Sequence, residues 1–102
     1  MGHHMPRLQT SPHDHRAYRY LTLTNQLHVL LIEDHKTEKS AAALAVQVGH
    51  FDDPLARQGM AHFLEHMLFL GTETFPHPGE HQEFINRHGG SNTAWTGTES
   101  TN

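Results

Sequence analysis

The sequence predicts an α/β fold, of the α+β kind: a mostly antiparallel sheet with helices packed on one face. Three observations carry that reading. Two runs rich in β-branched and aromatic residues flank a polar pair near the start. Apolar residues recur at helical spacing in the middle. A Thr-rich, β-like stretch ends the sequence.

The elements follow in order. Residues 1–5 read as a vector-derived remnant, which accounts for His3 and His4, and residues 6–16 as an irregular leader with two prolines. Residues 17–102 are expected to form the N-terminal part of one domain. Residues 18–24 alternate and predict a strand. Asn25-Gln26 is a tight turn, residues 27–33 are the return strand, and residues 34–40 are a charged loop. Residues 41–48 open on three consecutive alanines, which favour helix. Val46, Gln47, Val48 and the following glycine tip the reading to a buried strand. Residues 49–54 form a turn-rich connector in which Asp52 or Asp53 is placed to cap a helix.

Helical periodicity is clearest over residues 60–70, and Gly71 stops it. Residues 72–79 are a loop holding Pro76 and Pro78. A second helix runs from Gly79 or Glu80 to His88, with Gly89-Gly90 as its stop. Residues 91–102 predict a strand broken near Gly97. The chain stops inside that stretch, as expected of a cut through a larger domain.

Composition narrows the function. Seven Lys and Arg residues are scattered through a chain of net charge −4, so no basic patch points to nucleic acid. The apolar runs are too short to cross a bilayer, and no signal peptide is visible. The expected protein is soluble, with cytoplasm and periplasm both open. Cysteine is absent, so any metal is held by nitrogen and oxygen. A hydrophobic share of 35% is low for a self-sufficient domain, and some apolar surface is expected to complete itself against another partner. Twelve histidines say little by themselves, because His13, His15, His28 and His35 sit in polar or strand-like surroundings.

Chemistry concentrates at His62-Phe63-Leu64-Glu65-His66. Residues four apart on a helix stack on one side. Glu65 lies three after His62, so at ~100° per residue the three side chains span an arc of roughly 100°. Phe63, Leu64, Met67 and Leu68 are expected on the opposite, buried side. Two neutral imidazoles suit Zn²⁺, which prefers four ligands. A catalytic site uses three protein ligands and a water whose pKa the metal lowers to about 7. Glu65 is placed to take that water's proton and pass it to a leaving amine. The bland alternative is a solvated helix face that happens to hold two histidines.

The wider run from Gly59 through His62, Glu65 and His66 to Thr72, with Gly49 ahead of it, resembles the zinc-binding signature of the pitrilysin/insulinase (inverzincin) metallopeptidases. The likeness extends over residues 27–33, 41–53 and 84–102. It implies an endopeptidase with one Zn²⁺ per site, ligands His62 and His66, and Glu65 as general base. It implies a third ligand, a glutamate, beyond residue 102. It also implies a much longer parent chain that closes around a peptide substrate.

By the same resemblance, Asn92, Thr93, Ala94 and Trp95 belong to an edge that binds substrate as an added strand. Many relatives have Asn before the Ala, where this chain has Thr93, so a side-chain contact from that position is not carried over. Trp95 is equally readable as a core residue. A non-catalytic peptide- or metal-binding module is the rival reading, and the isolated chain is expected to be inactive. An unpaired last strand also predicts homo-oligomers through an exposed edge.

Among other residues, His50 is expected in the turn and cap ahead of the metal helix, with an approach to the cleft as the alternative, and Phe69 as packing or a wall of the site. His77, His81, Glu80 and Glu83 are expected in solvent.

Overall fold

The computed structural model describes residues 8–102. The remnant proposed for residues 1–5, with His3 and His4, lies outside them. The described residues divide after Ala41 into two compact units.

The first unit is a hairpin. Strand β1 (Ala17–Thr22) pairs antiparallel with β2 (His28–Glu33), with Tyr18 opposite Ile32 and Tyr20 opposite Leu30. Aromatic and aliphatic side chains paired in this way stabilise a two-stranded ribbon. The expected turn is present. Leu23 N–H donates to the Leu27 carbonyl at 2.8 Å, and Asn25 Oδ1 accepts the Leu27 N–H at 3.1 Å. Ahead of β1, the Arg16 guanidinium and then the Tyr18 hydroxyl bond Asp14, and hold its carboxyl well below the usual carboxylate range. His13, His15, His28 and His35 face solvent as expected.

In the second unit a 3₁₀ turn (His50–Asp52) leads into helix α1 (Met60–Met67), and helix α2 (Glu80–Arg87) follows. Helix α1 stops three residues before the predicted end. Its last turn tightens, with Phe69 N–H donating to the His66 carbonyl and Leu70 N–H to that of Met67. Helix α2 ends where the glycines predict. Gly89 takes φ 74°, its N–H bonds the Asn86 carbonyl, and Gly90 N–H reaches back to Ile85 at 2.9 Å. This is the Schellman pattern, in which a left-handed residue closes the last carbonyls.

Two expected strands are corrected. Residues 41–48 and 91–102 form isolated bridges and no continuous strand: Val46 with Thr101, and Thr96 with Thr101. Thr101 is shared by both, so three short segments meet there. Gly97 N–H bonds the Ser100 carbonyl, which makes the predicted break at Gly97 a reversal of direction. A strand ladder needs a longer run of paired residues; here the longest pairing, 95–97 with 100–102, spans only the reversal itself.

The apolar face of α1 is corrected too. Phe63, Leu64, Met67 and Leu68 are exposed, Phe63 by 66% and Leu68 by 69%. Among the described residues no apolar side chain is fully buried. The residues of α1 and its last turn that turn inward are Ala61, Glu65 and Phe69, at i, i+4 and i+8.

What fixes the second unit is close backbone contact at Gly49. Gly49 is buried, and a Cβ placed there would lie 2.7 Å from the Thr98 carbonyl carbon and 2.8 Å from the Glu99 nitrogen. Gly49→Ala is therefore expected to lower stability by roughly 1–3 kcal/mol, the cost of overpacking a tight contact. Thermal unfolding followed by circular dichroism would show the loss. An unchanged melting temperature would mean that the contact is not a structural constraint.

Candidate metal centre

Helix α1 must start in the right place for its side chains to converge. The chain enters it through Gly59, which has no side chain to cap the helix. Asp53 does this from six residues upstream. Its Oδ2 accepts the Gly59 N–H at 2.8 Å, and its Oδ1 accepts the Ala61 N–H at 2.9 Å. Asp52 works on the other side of the connector, where its Oδ2 accepts the Gly49 N–H at 2.9 Å. Each of the two acids named as possible caps thus has its own task. The Ala61 N–H, then the Gly59 N–H, hold the Asp53 carboxyl below the usual carboxylate range against the opposing effect of desolvation.

The 3₁₀ turn also ties the last segment to the helix. His50 N–H donates to the Gly97 carbonyl and Phe51 N–H to that of Thr98, both at 2.9 Å. Thr96 is thereby brought beside α1, and its hydroxyl donates to Glu65 Oε1 at 3.3 Å.

His62 and His66 are exposed, and their Nε2 atoms meet at 2.8 Å. The ring centroids are 4.6 Å apart with planes at 49°. Glu65 Oε2 is 3.9 Å from His66 Nε2. Glu65 was expected on the open face with the histidines; it is buried, with 7% of its surface accessible. Its position at the margin of the polar arc explains this, because that margin adjoins Ala61 and Phe69 on the inward stripe. The carboxylate still reaches open space. It lines a cavity of about 690 Å³ together with Leu68, Phe69 and segments 42–46 and 91–95.

The donor set suits one shared cation. Two ligands ~2.0–2.1 Å from a tetrahedral zinc stand about 3.3 Å apart. The observed 2.8 Å needs only a small opening of the two rings. In the metal-free pair one Nε2–H donates to the other Nε2. A metal between them requires both Nε2 atoms bare, hence both protons on Nδ1. Among the described residues no group of three His, Asp or Glu side chains is placed to hold a metal ion.

Other expected residues fall as follows. Asn92, Thr93, Ala94 and Trp95 all line the Glu65 cavity. Asn92 and Ala94 are half-buried, while Thr93 and Trp95 are exposed, the alternation of an extended segment. Trp95 is 54% exposed and is no core residue. Phe69 forms part of the cavity wall, and the His50 ring lies 5.9 Å from that of His62. His77, His81 and Glu83 are exposed as expected. Glu80 is half-buried, contrary to the expectation of full solvation. Thr96 was missed as a partner of Glu65. The two are 31 residues apart, and no local pattern links them.

The insulinase (peptidase family M16) pattern matches residues 28–102. The chain belongs to the insulinase family of metallopeptidases. Among its relatives, human insulin-degrading enzyme is 47% identical over 102 residues, covering all of this chain and 10% of that protein. The A-factor-processing enzyme of Saccharomyces cerevisiae is 47% identical over 89 residues, 87% of this chain and 9% of that protein. The crystal structure of pitrilysin superposes with a TM-score of 0.84 at 38% identity, over 98% of this chain and 11% of that one. The chain thus spans about a tenth of these insulinase-family relatives.

The lowered Asp53 pKa fixes the sign of a pH effect. A carboxyl depressed in the folded state stabilises it fully above its unfolded value, for which the reference is 3.8, and the contribution is lost as pH falls through the lower folded pKa. Asp53→Ala should therefore lower the thermal midpoint at neutral pH, and the gap from the parent should close as the solution is taken well below pH 3.8. A gap of constant size down to strong acid would contradict the capping role.

Proposed function

We propose that this chain carries the catalytic helix of a zinc-dependent endopeptidase, with His62 and His66 as two metal ligands and Glu65 as general base. The observation that carries the proposal is the meeting of the two Nε2 atoms at 2.8 Å with the Glu65 carboxylate alongside. A zinc ion held there would supply Lewis-acid polarisation of a peptide carbonyl and lower the pKa of a water to about 7. His62 and His66 bind through Nε2. Glu65 accepts a proton at Oε2, the oxygen nearer the histidines, while Oε1 is oriented by the Thr96 hydroxyl. The same carboxyl then returns the proton to the leaving amine.

Peptide would lie along residues 92–95. Trp95 turns its N–H and carbonyl to Asn102, so Ala94 turns its own to the opposite edge. Among the described residues the main chain of 92–94 makes no backbone hydrogen bond. An extended substrate pairs naturally with such an edge. Residues 17–102 would be the N-terminal part of the metal-binding domain, and the third ligand and the rest of the substrate cleft would come from the longer parent protein. The isolated chain is accordingly proposed to be inactive. Its open edge and exposed apolar residues favour self-association.

The test is hydrolysis of a fluorogenic peptide by the full-length protein. Glu65→Gln should lower kcat by about 10²–10⁴-fold, the usual contribution of a positioned acid–base group, with zinc content unchanged. His62→Ala and His66→Ala should each lose zinc. Equal turnover by Glu65→Gln and its parent would end the assignment of Glu65.

A further inference from the structure

His62 is an exposed side chain whose ring must be held still to act as a ligand, and freezing a side chain has an entropic cost. His66 steadies one side of it. On another side stands His50, with ring centroids 5.9 Å apart and planes at 86°. That is the edge-to-face arrangement in which flat rings attract.

His50 is well placed to hold a neighbour because its own backbone is pinned. Its N–H bonds the Gly97 carbonyl at 2.9 Å, and its carbonyl accepts the Asp53 N–H at 3.2 Å. Gly49 before it is buried and tied to Asp52. The same connector therefore sets the start of α1 through Asp53 and the His50 ring beside His62. His50 does not complete a three-ligand cluster with His62 and His66.

We infer that His50 is a positioning residue, whose ring, at right angles to that of His62, holds the His62 imidazole in the orientation that meets His66. This rests on the proposed metal site, and it assigns His50 a contact with a ligand's ring rather than with the metal.

The experiment uses the full-length protein and two variants, His50→Ala and His50→Phe, with zinc affinity measured by chelator competition. In the metal-free proteins, the His62 ring resonances are followed by NMR. His50→Ala should weaken zinc binding by about tenfold, the low end of what supporting residues around a metal contribute, and should move the His62 signals. His50→Phe, which keeps a flat ring at that position, should bind within about threefold of the parent. Unchanged affinity and unmoved His62 signals in His50→Ala would overturn the inference. So would a His50→Phe protein as weak as His50→Ala, since a ring nitrogen would then be required. A parent protein that takes up no zinc would instead overturn the metal site itself, and this role with it.

Discussion

Four residues of α-helix advance about 6 Å and overshoot one turn by about 40°, so two side chains at that spacing lean over the same patch of surface. The arrangement at His62 and His66 depends on that constraint. It brings two nitrogens within reach of one cation from a single turn of helix. It also leaves Glu65 at the edge of the same arc, near enough to share the chemistry and far enough round to be buried.

The second requirement is that this turn of helix be anchored. Among the described residues no apolar core presses on α1. What holds its start is polar and local: one carboxylate, Asp53, accepts two backbone N–H groups. The Gly49–Asp53 connector extends the same control to the 97–98 backbone and, through it, to Thr96 and Glu65. The proposed ligands, the proposed base and the cavity wall are therefore coupled through a few hydrogen bonds around one short 3₁₀ turn. The exposed Phe63 and Leu64 lie away from that network, on the side of α1 that remains open to solvent.

The legible parts of the sequence were those set by near neighbours. The hairpin, the helix stop at Gly89-Gly90, and the His-x-x-Glu-His spacing all depend on residues within a turn or two, and their patterns are local. The errors came where distant segments decide the outcome. Residues 41–48 and 91–102 have strand-forming composition, but among the described residues they make only the bridges Val46–Thr101 and Thr96–Thr101, and single bridges do not make a strand. Apolar residues on α1 were read as the inward face, whereas the inward stripe is Ala61, Glu65 and Phe69. Hydrophobicity says which residues prefer burial, not which side of a helix has a neighbour. The Thr96–Glu65 bond was invisible for the same reason.

The central claim is that two imidazoles of one helical turn share a single zinc ion. X-ray absorption at the zinc edge of the full-length metal-loaded protein tests it most directly. The account predicts two imidazole nitrogens per zinc at ~2.0–2.1 Å, with one lost in His62→Ala. A shell containing no imidazole, or one unaffected by that substitution, would contradict it.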